Sequence, residues 1–188
     1  MKVNANTLRA GNVLEYNNKL MVVTKSEILT PGKGAAVIKI EMKDVKTGNK
    51  DNVTFRTQET VERVRLEQHD CQFLYKDDDG YNFMNNASFE QFTVSEDLIG
   101  EQAAFLQDGM AVVVETYENE PLSVELPPTV ICEIVEAEPV VKGQTATTSY
   151  KPAILDNGVK VMVPPFVEQG TRIVIKTEDF TYVERAKD

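Results

Sequence analysis

The sequence predicts an all-β chain of three compact units, and three observations carry that prediction. Short apolar stretches recur with polar residues spaced by two, the period that sends alternate side chains to opposite faces of a strand. Turn-forming clusters separate these stretches at short, regular intervals. Only one stretch, residues 95–107, carries helical spacing.

Val13-Leu14-Glu15-Tyr16 and Leu20-Met21-Val22-Val23 flank Asn17-Asn18-Lys19, a good hairpin turn. A second hairpin reverses at Pro31-Gly32-Lys33-Gly34, between the apolar run of residues 20–25 and a strand over 36–45. Proline fixes φ there, and Gly32 is expected to take the positive φ of a type II turn. Lys46-Thr47-Gly48-Asn49 then turns the chain into Asn52-Val53-Thr54-Phe55. Five short strands with tight turns predict an SH3-like barrel over residues 1–64.

The second unit, residues 65–128, opens with Cys71-Gln72-Phe73-Leu74-Tyr75 and Tyr81-Asn82-Phe83-Met84, joined by Lys76-Asp77-Asp78-Asp79-Gly80. The helix follows at 95–107, with Ser95 as its expected cap, Glu96 and Asp97 in the first turn, and Leu98, Ile99, Ala103 and Leu106 on one face. Strands at 111–117 and 122–126 complete it, and Pro127-Pro128 marks the boundary. The third unit, residues 129–188, has strands at 130–136, 153–155, 159–163, 172–176 and 180–183. Asp156-Asn157-Gly158 is its clearest turn. Both units read as five-stranded barrels of oligonucleotide-binding (OB) type.

Charge is segregated along the chain. Net charge is −10, which opposes nucleic-acid binding by the molecule as a whole. Residues 1–64, however, hold eleven Lys/Arg against seven Asp/Glu, a balance of +4. Residues 65–128 hold two against fourteen, and residues 129–188 seven against nine. Phosphate attraction acts within a Debye length of about 8–10 Å, so an anionic partner suits the first unit alone. No apolar run reaches the ~18 residues of a membrane helix, and the N-terminus lacks a signal peptide's apolar region. Cys71 and Cys132 are too few for a disulfide framework, so a reducing cytoplasm is expected.

Lys33 places one ammonium on a long arm at a hairpin tip, between two glycines. That suits reaching into a narrow space or presenting an amine to a modifying enzyme; a solvated turn lysine is the plain alternative. Walker A is excluded, because glycine and a strand follow the lysine. His69 and Cys71 share a strand face, but with a single histidine in the chain they read as a strand start and a packed thiol. Asp77-Asp78-Asp79-Gly80 lacks the spacing of a calcium loop and reads as a turn. No catalytic residue, metal site or cofactor is expected. The chain has no tryptophan and no aromatics interleaved with basic residues, so any RNA contact should be to shape and backbone.

Lys151-Pro152-Ala153, Gly158, and Val161-Met162-Val163-Pro164-Pro165-Phe166-Val167-Glu168-Gln169-Gly170 resemble the signature of bacterial translation elongation factor P. Phe83-Met84-Asn85-Asn86, Phe89-Glu90-Gln91, Glu133-Ile134-Val135 and Tyr182-Val183-Glu184-Arg185 agree in order, so the resemblance spans the chain. It implies an SH3-like domain and two OB-type barrels in an L that mimics tRNA. The factor would bind the 70S ribosome between the P and E sites when synthesis stalls on consecutive prolines. The loop Pro31, Gly32, Lys33, Gly34 would face the acceptor end of P-site tRNA and rRNA. Lys33 would be β-lysylated by a modifying enzyme and often hydroxylated. Gly143, Thr145, Ala146, Tyr182 and Arg185 would contact RNA at the E site and small subunit. A monomer without membrane contact is implied.

Some positions depart from the family's usual pattern. Leu29-Thr30 stand before the loop where Val-Lys is common, and Val37 stands near a frequent phenylalanine. The loop Gly143-Gln144-Thr145-Ala146-Thr147 departs from Gly-Asp-Thr-Ala. The rival readings are an elongation factor P-like paralogue, a free-standing OB-type protein binding single-stranded nucleic acid, and a Cys/His enzyme.

Overall fold

A computed structural model describes residues 1–140 and 149–187. Chain contacts gather into two units: Met1–Gln68 with Glu115–Leu122, and His69–Val114 with Ser123–Asp188. Among the described residues no helix is long and apolar enough to cross a membrane.

The first unit holds β1 (Lys2–Asn4), β2 (Val13–Tyr16), β3 (Lys19–Leu29), β4 (Val37–Asp44), β5 (Lys50–Arg56) and β6 (Thr60–Val64). They form one sheet in the order β1-β6-β2-β3-β4-β5. Alternation is clean in β4, where Ile38, Ile40 and Met42 are buried and Lys39 and Lys43 are exposed. Asn17 and Asn18 both take positive φ (51° and 60°), closing the β2–β3 hairpin as a two-residue turn. Strand β3 runs well past the expected run. Its register slips between Val23 and Lys25, which then sets Lys25 opposite Glu41 and Glu27 opposite Lys39. That charged stretch has no apolar alternation, yet its backbone pairing with β4 continues past the slip to Leu29↔Val37. The core centres on Leu14, Val23, Ile38, Ile40 and Phe55, with Tyr16 edge-on to Phe55 at 6.0 Å.

Two further sheets follow along the chain. One has β7 (Glu67–Asp77), β8 (Gly80–Asn85), β9 (Gln91–Val94), β10 (Ala111–Tyr117) and β11 (Glu120–Glu125), in the order β11-β10-β7-β8-β9. The other has β12 (Thr129–Ala137), β13 (Lys151–Leu155), β14 (Lys160–Val163), β15 (Arg172–Lys176) and β16 (Tyr182–Arg185), in the order β14-β13-β12-β15-β16. Read from matching edges, the two sheets share one connectivity. In each, the first strand lies central between its second and fourth.

The expected continuous helix over 95–107 is broken. A four-residue α-helix, α1 (Glu96–Ile99), ends at Gly100 (φ 79°), and a 3-10 helix covers Gly100–Phe105. Glycine accepts the left-handed conformation that interrupts the i to i+4 ladder. Ser95 precedes α1 without a side-chain capping bond.

One apolar core runs through both of these sheets, from Phe73 and Phe83 to Leu155 and Ile173. The seam between them carries satisfied polar groups. Gln102 Nε2 donates to Thr177 O (3.0 Å), Gln107 Nε2 to Ile131 O (2.9 Å), and buried Thr177 Oγ1 to Pro127 O (2.6 Å). The two Thr177 bonds are part-buried and remove the cost of leaving a bare polar atom there, whereas the Gln107 bond lies at the exposed rim.

Candidate functional site

β3 and β4 are the longest strands of the first unit, and Lys33 sits in their connection. The last cross-strand pair is Leu29↔Val37, so residues 30–36 span the turn. Residues 30–35 are exposed. Lys33 has no hydrogen bond or ion pair among the described residues. Its amine is therefore free to meet a partner outside the chain.

The type II turn expected at Pro31-Gly32 is not formed. Positive φ falls on Gly34 (113°), and Gly32 stays outside the left-handed region. A connection of this width reverses direction over a longer arc, so the tight-turn geometry is not required. The two glycines thus have different reasons. Gly34 holds a conformation side chains rarely adopt. A Cβ on Gly32 or Gly34 would meet nothing within 4 Å, so no packing inside the chain excludes a side chain at Gly32.

Register places Arg56 opposite Val37, on the outer face at the foot of the loop. Arg56 N donates to Glu59 Oε2 (3.2 Å), and Thr57 N donates to Ala36 O (3.3 Å), tying the loop's base to the turn after β5. These residues and Ala35 border an open concavity of about 730 Å³. Farther along the same face, Lys39 and Lys25 edge a shallow groove of about 270 Å³ with Glu27 and Glu41. Lys50 Nζ lies 3.8 Å from Glu41 Oε1. Arg56 was missed by motif reading; only the strand register brings it beside the loop.

In the second unit, Gly143, Thr145 and Ala146 lie outside the described residues. Tyr182 and Arg185 are both on β16. Residues three apart on a regular strand face opposite ways, but the register slips between Val174 and Ile175. Tyr182 pairs with Ile175 and Arg185 with Ile173, so both share the face of two core residues. Burial raises the Tyr182 phenol above its ordinary value. The Arg185 guanidinium lies 5.3 Å from the ring centre of exposed Phe166, a cation–π arrangement. Phe166 stood inside the quoted motif, but the motif gives no sign that its ring is exposed beside a cation.

The thiols are packed away. Cys71 and Cys132 are buried, and burial raises both, Cys132 to about 11. A reactive cysteine needs the opposite shift. Asp77 Oδ1 accepts from Asp79 N (3.0 Å) and Gly80 N (3.1 Å), so its carboxylate closes the β7–β8 turn as expected.

Family models cover the chain in three pieces: an elongation factor P KOW-like domain over residues 4–61, an elongation factor P OB domain over 66–124, and an elongation factor P C-terminal domain over 130–185. The elongation factor P of Rhodospirillum centenum is 61% identical over the full length of both chains. Those of Acidiphilium cryptum and Gluconobacter oxydans are 57% and 53% identical, again over the whole of each. A solved eukaryotic translation initiation factor 5A from Methanococcus jannaschii covers 68% of this chain and 92% of its own, with a TM-score of 0.51. At 19% identity that likeness speaks to fold. The chain belongs to the elongation factor P family.

Proposed function

We propose that this translation elongation factor works on the ribosome by positioning, with Lys33 as its reaching group. The observation that carries the reading is a lysine held clear of its own chain, between glycines that leave space on either side. Residues 1–64 carry +4, the only basic balance of the three parts, and suit the phosphate-rich acceptor end of P-site tRNA and rRNA. Residues 65–128 and 129–188 make up the rest of the factor.

Proline is a poor nucleophile with a constrained ring, so its reacting groups align badly when prolines follow one another. A cationic arm against the acceptor end lowers the entropic cost of reaching the reactive geometry. The factor supplies no nucleophile or general base; its two thiols are buried with raised pKa. Lys33 is the site for β-lysylation, which lengthens the arm and adds a second amine. Leu29-Thr30 and Val37 are the flanks a modifying enzyme would have to accept. Tyr182 and Arg185, with Gly143, Thr145 and Ala146, form the RNA contact at the E site. The setting is the cytoplasm, where ribosomes work.

Reconstituted translation of a message encoding three consecutive prolines tests this reading. Added protein must raise the yield of full-length product; no rise at saturating protein contradicts it. Peptide mass mapping of protein from its own cell tests the modification. A lysine-sized increment on Lys33 supports it, and a bare Lys33 peptide removes it.

A further inference from the structure

The turn between β13 and β14 holds the single Asn-Gly step of the sequence, Asn157-Gly158. It also holds the one buried side-chain nitrogen or oxygen without a hydrogen-bond partner among the described residues, Asn157 Nδ2. Buried polar atoms are nearly always paired, so an orphan calls for a reason. Asn-Gly is the dipeptide in which an asparagine amide is lost most readily, because glycine puts no side chain over the backbone nitrogen that attacks it. Around Gly158 the space is open as well: a Cβ there would meet nothing within 4 Å.

The closed turn prepares one part of that reaction and withholds the others. Asn157 Oδ1 accepts from Val159 N (3.0 Å), which draws charge from Cγ and favours attack there. The nucleophile is withheld, because Gly158 N–H is committed to Leu155 O (2.8 Å). Departure is withheld too, because Nδ2 leaves only after taking a proton, and it is closed off from solvent with no partner. Leu155 N donates to Val159 O (2.9 Å) and Asp156 N to Glu133 O (2.8 Å), pinning the turn to itself and to β12. The weak side is β14, a four-residue strand at the edge of its sheet, the kind of element that opens without global unfolding.

We propose that Asn157-Gly158 is a deamidation site gated by the β13–β14 hairpin, silent while the turn is closed and reactive when it opens. In the open turn Gly158 N gives its proton to hydroxide and attacks Asn157 Cγ. The new N–C bond closes a succinimide ring. The Cγ–Nδ2 bond breaks, and the amide nitrogen takes a proton from water and leaves as ammonia. Water then adds to either ring carbonyl and opens it, giving aspartate or isoaspartate. Neither product refits the closed turn. Aspartate sets a charged oxygen where the unpaired Nδ2 was buried, next to Asp156 in sequence. Isoaspartate adds a carbon to the main chain, so the bonds from Gly158 N and Leu155 N cannot both be kept. A transient opening is thereby made permanent.

Timed incubation of the intact protein at pH 8, folded and in denaturing urea, tests this by peptide mapping with isoaspartate detection. The unfolded chain should deamidate at Asn157 at least about tenfold faster than the folded one, the ratio reporting how seldom the hairpin opens. Val161→Ala removes packing from β14 without touching the reacting atoms, and should raise the folded rate while leaving the unfolded rate unchanged. Urea below the unfolding midpoint should likewise raise the parent's folded rate, so the gate is tested even where that variant fails to fold. Deamidated protein, separated by its added negative charge, should melt below the parent. Equal rates in the folded and unfolded protein overturn the gate, and no reaction at Asn157 in the unfolded chain overturns the site. A deamidated product that melts as the parent does overturns the claim that opening is made permanent.

Discussion

The ring of Phe105 lies flat on the ring of Phe180, 5.0 Å apart, and joins the 3-10 helix of one five-stranded sheet to the last hairpin of the other. Phe180 is half-buried and Phe105 fully buried. Phe180→Ala should therefore cost about 2 kcal/mol, between an aromatic pair's own contribution and the loss of a fully buried ring. Urea unfolding followed by tyrosine fluorescence measures it. An unchanged midpoint would mean that the seam does not depend on this pair.

The two loop glycines should separate structure from function. Gly32→Ala meets no atom of the chain and needs no left-handed backbone, so stability should stay within about 0.5 kcal/mol of the parent. Its added methyl does enter the space a partner would occupy, and relief of proline stalling should fall. Gly34→Ala, at φ 113°, should instead redirect the loop itself. Chemical shifts of residues 30–36 read the difference: local and small for the first variant, spread over the loop for the second.

Asp44 gives the β4–β5 turn an acid dependence. Its Oδ1 accepts from Lys46 N (2.8 Å) and Thr47 N (3.2 Å). The Lys46 bond, foremost, lowers its pKa below the ordinary 3.8, against a smaller upward push from burial. A carboxylate depressed by folding stabilises fully above that ordinary value, and the effect fades as pH falls through the lower folded value. The stability gap between the parent and Asp44→Ala should thus be constant from pH 7 to 5 and narrow below 3.8. Denaturant titrations at several pH values measure it, and a gap that widens on acidification would contradict the assignment.

Both cysteines should resist alkylation at pH 8 in the folded protein and react once it is unfolded. Burial raises the two thiols, so little thiolate is present and reagent access is blocked. Mass spectrometry after a timed iodoacetamide pulse reads it. Rapid native labelling of Cys71 would reopen a chemical role for the His69–Cys71 strand.

What was legible in the sequence was what local physics controls. Asn17-Asn18 announced its hairpin because asparagine tolerates positive φ, and Ile38, Ile40 and Met42 announced β4 by strict alternation. The outer half of β3 was hidden, because a bulge sends its charged residues to face charges on β4. Phe180 was expected to begin a strand; it ends the turn before β16, since the seam, not β propensity, decides where its ring goes. The helix expectation failed at Gly100 for a local reason that apolar spacing does not weigh. At the candidate site, the loop and its lysine were readable from Pro31-Gly32-Lys33-Gly34. Arg56 beside it was not, because it arrives by pairing with Val37 from nineteen positions away.

The central claim is that Lys33 acts by reach, from a fold that does not need it. The direct measurement is the rate of peptide-bond formation between consecutive prolines on purified ribosomes, with the parent protein and with Lys33→Ala. The account predicts that Lys33→Ala melts as the parent does, because its side chain is exposed and makes no hydrogen bond or ion pair among the described residues, and still binds the ribosome. It also predicts no acceleration of the proline step by that variant. A Lys33→Ala protein that accelerates the step as fully as the parent would contradict the account.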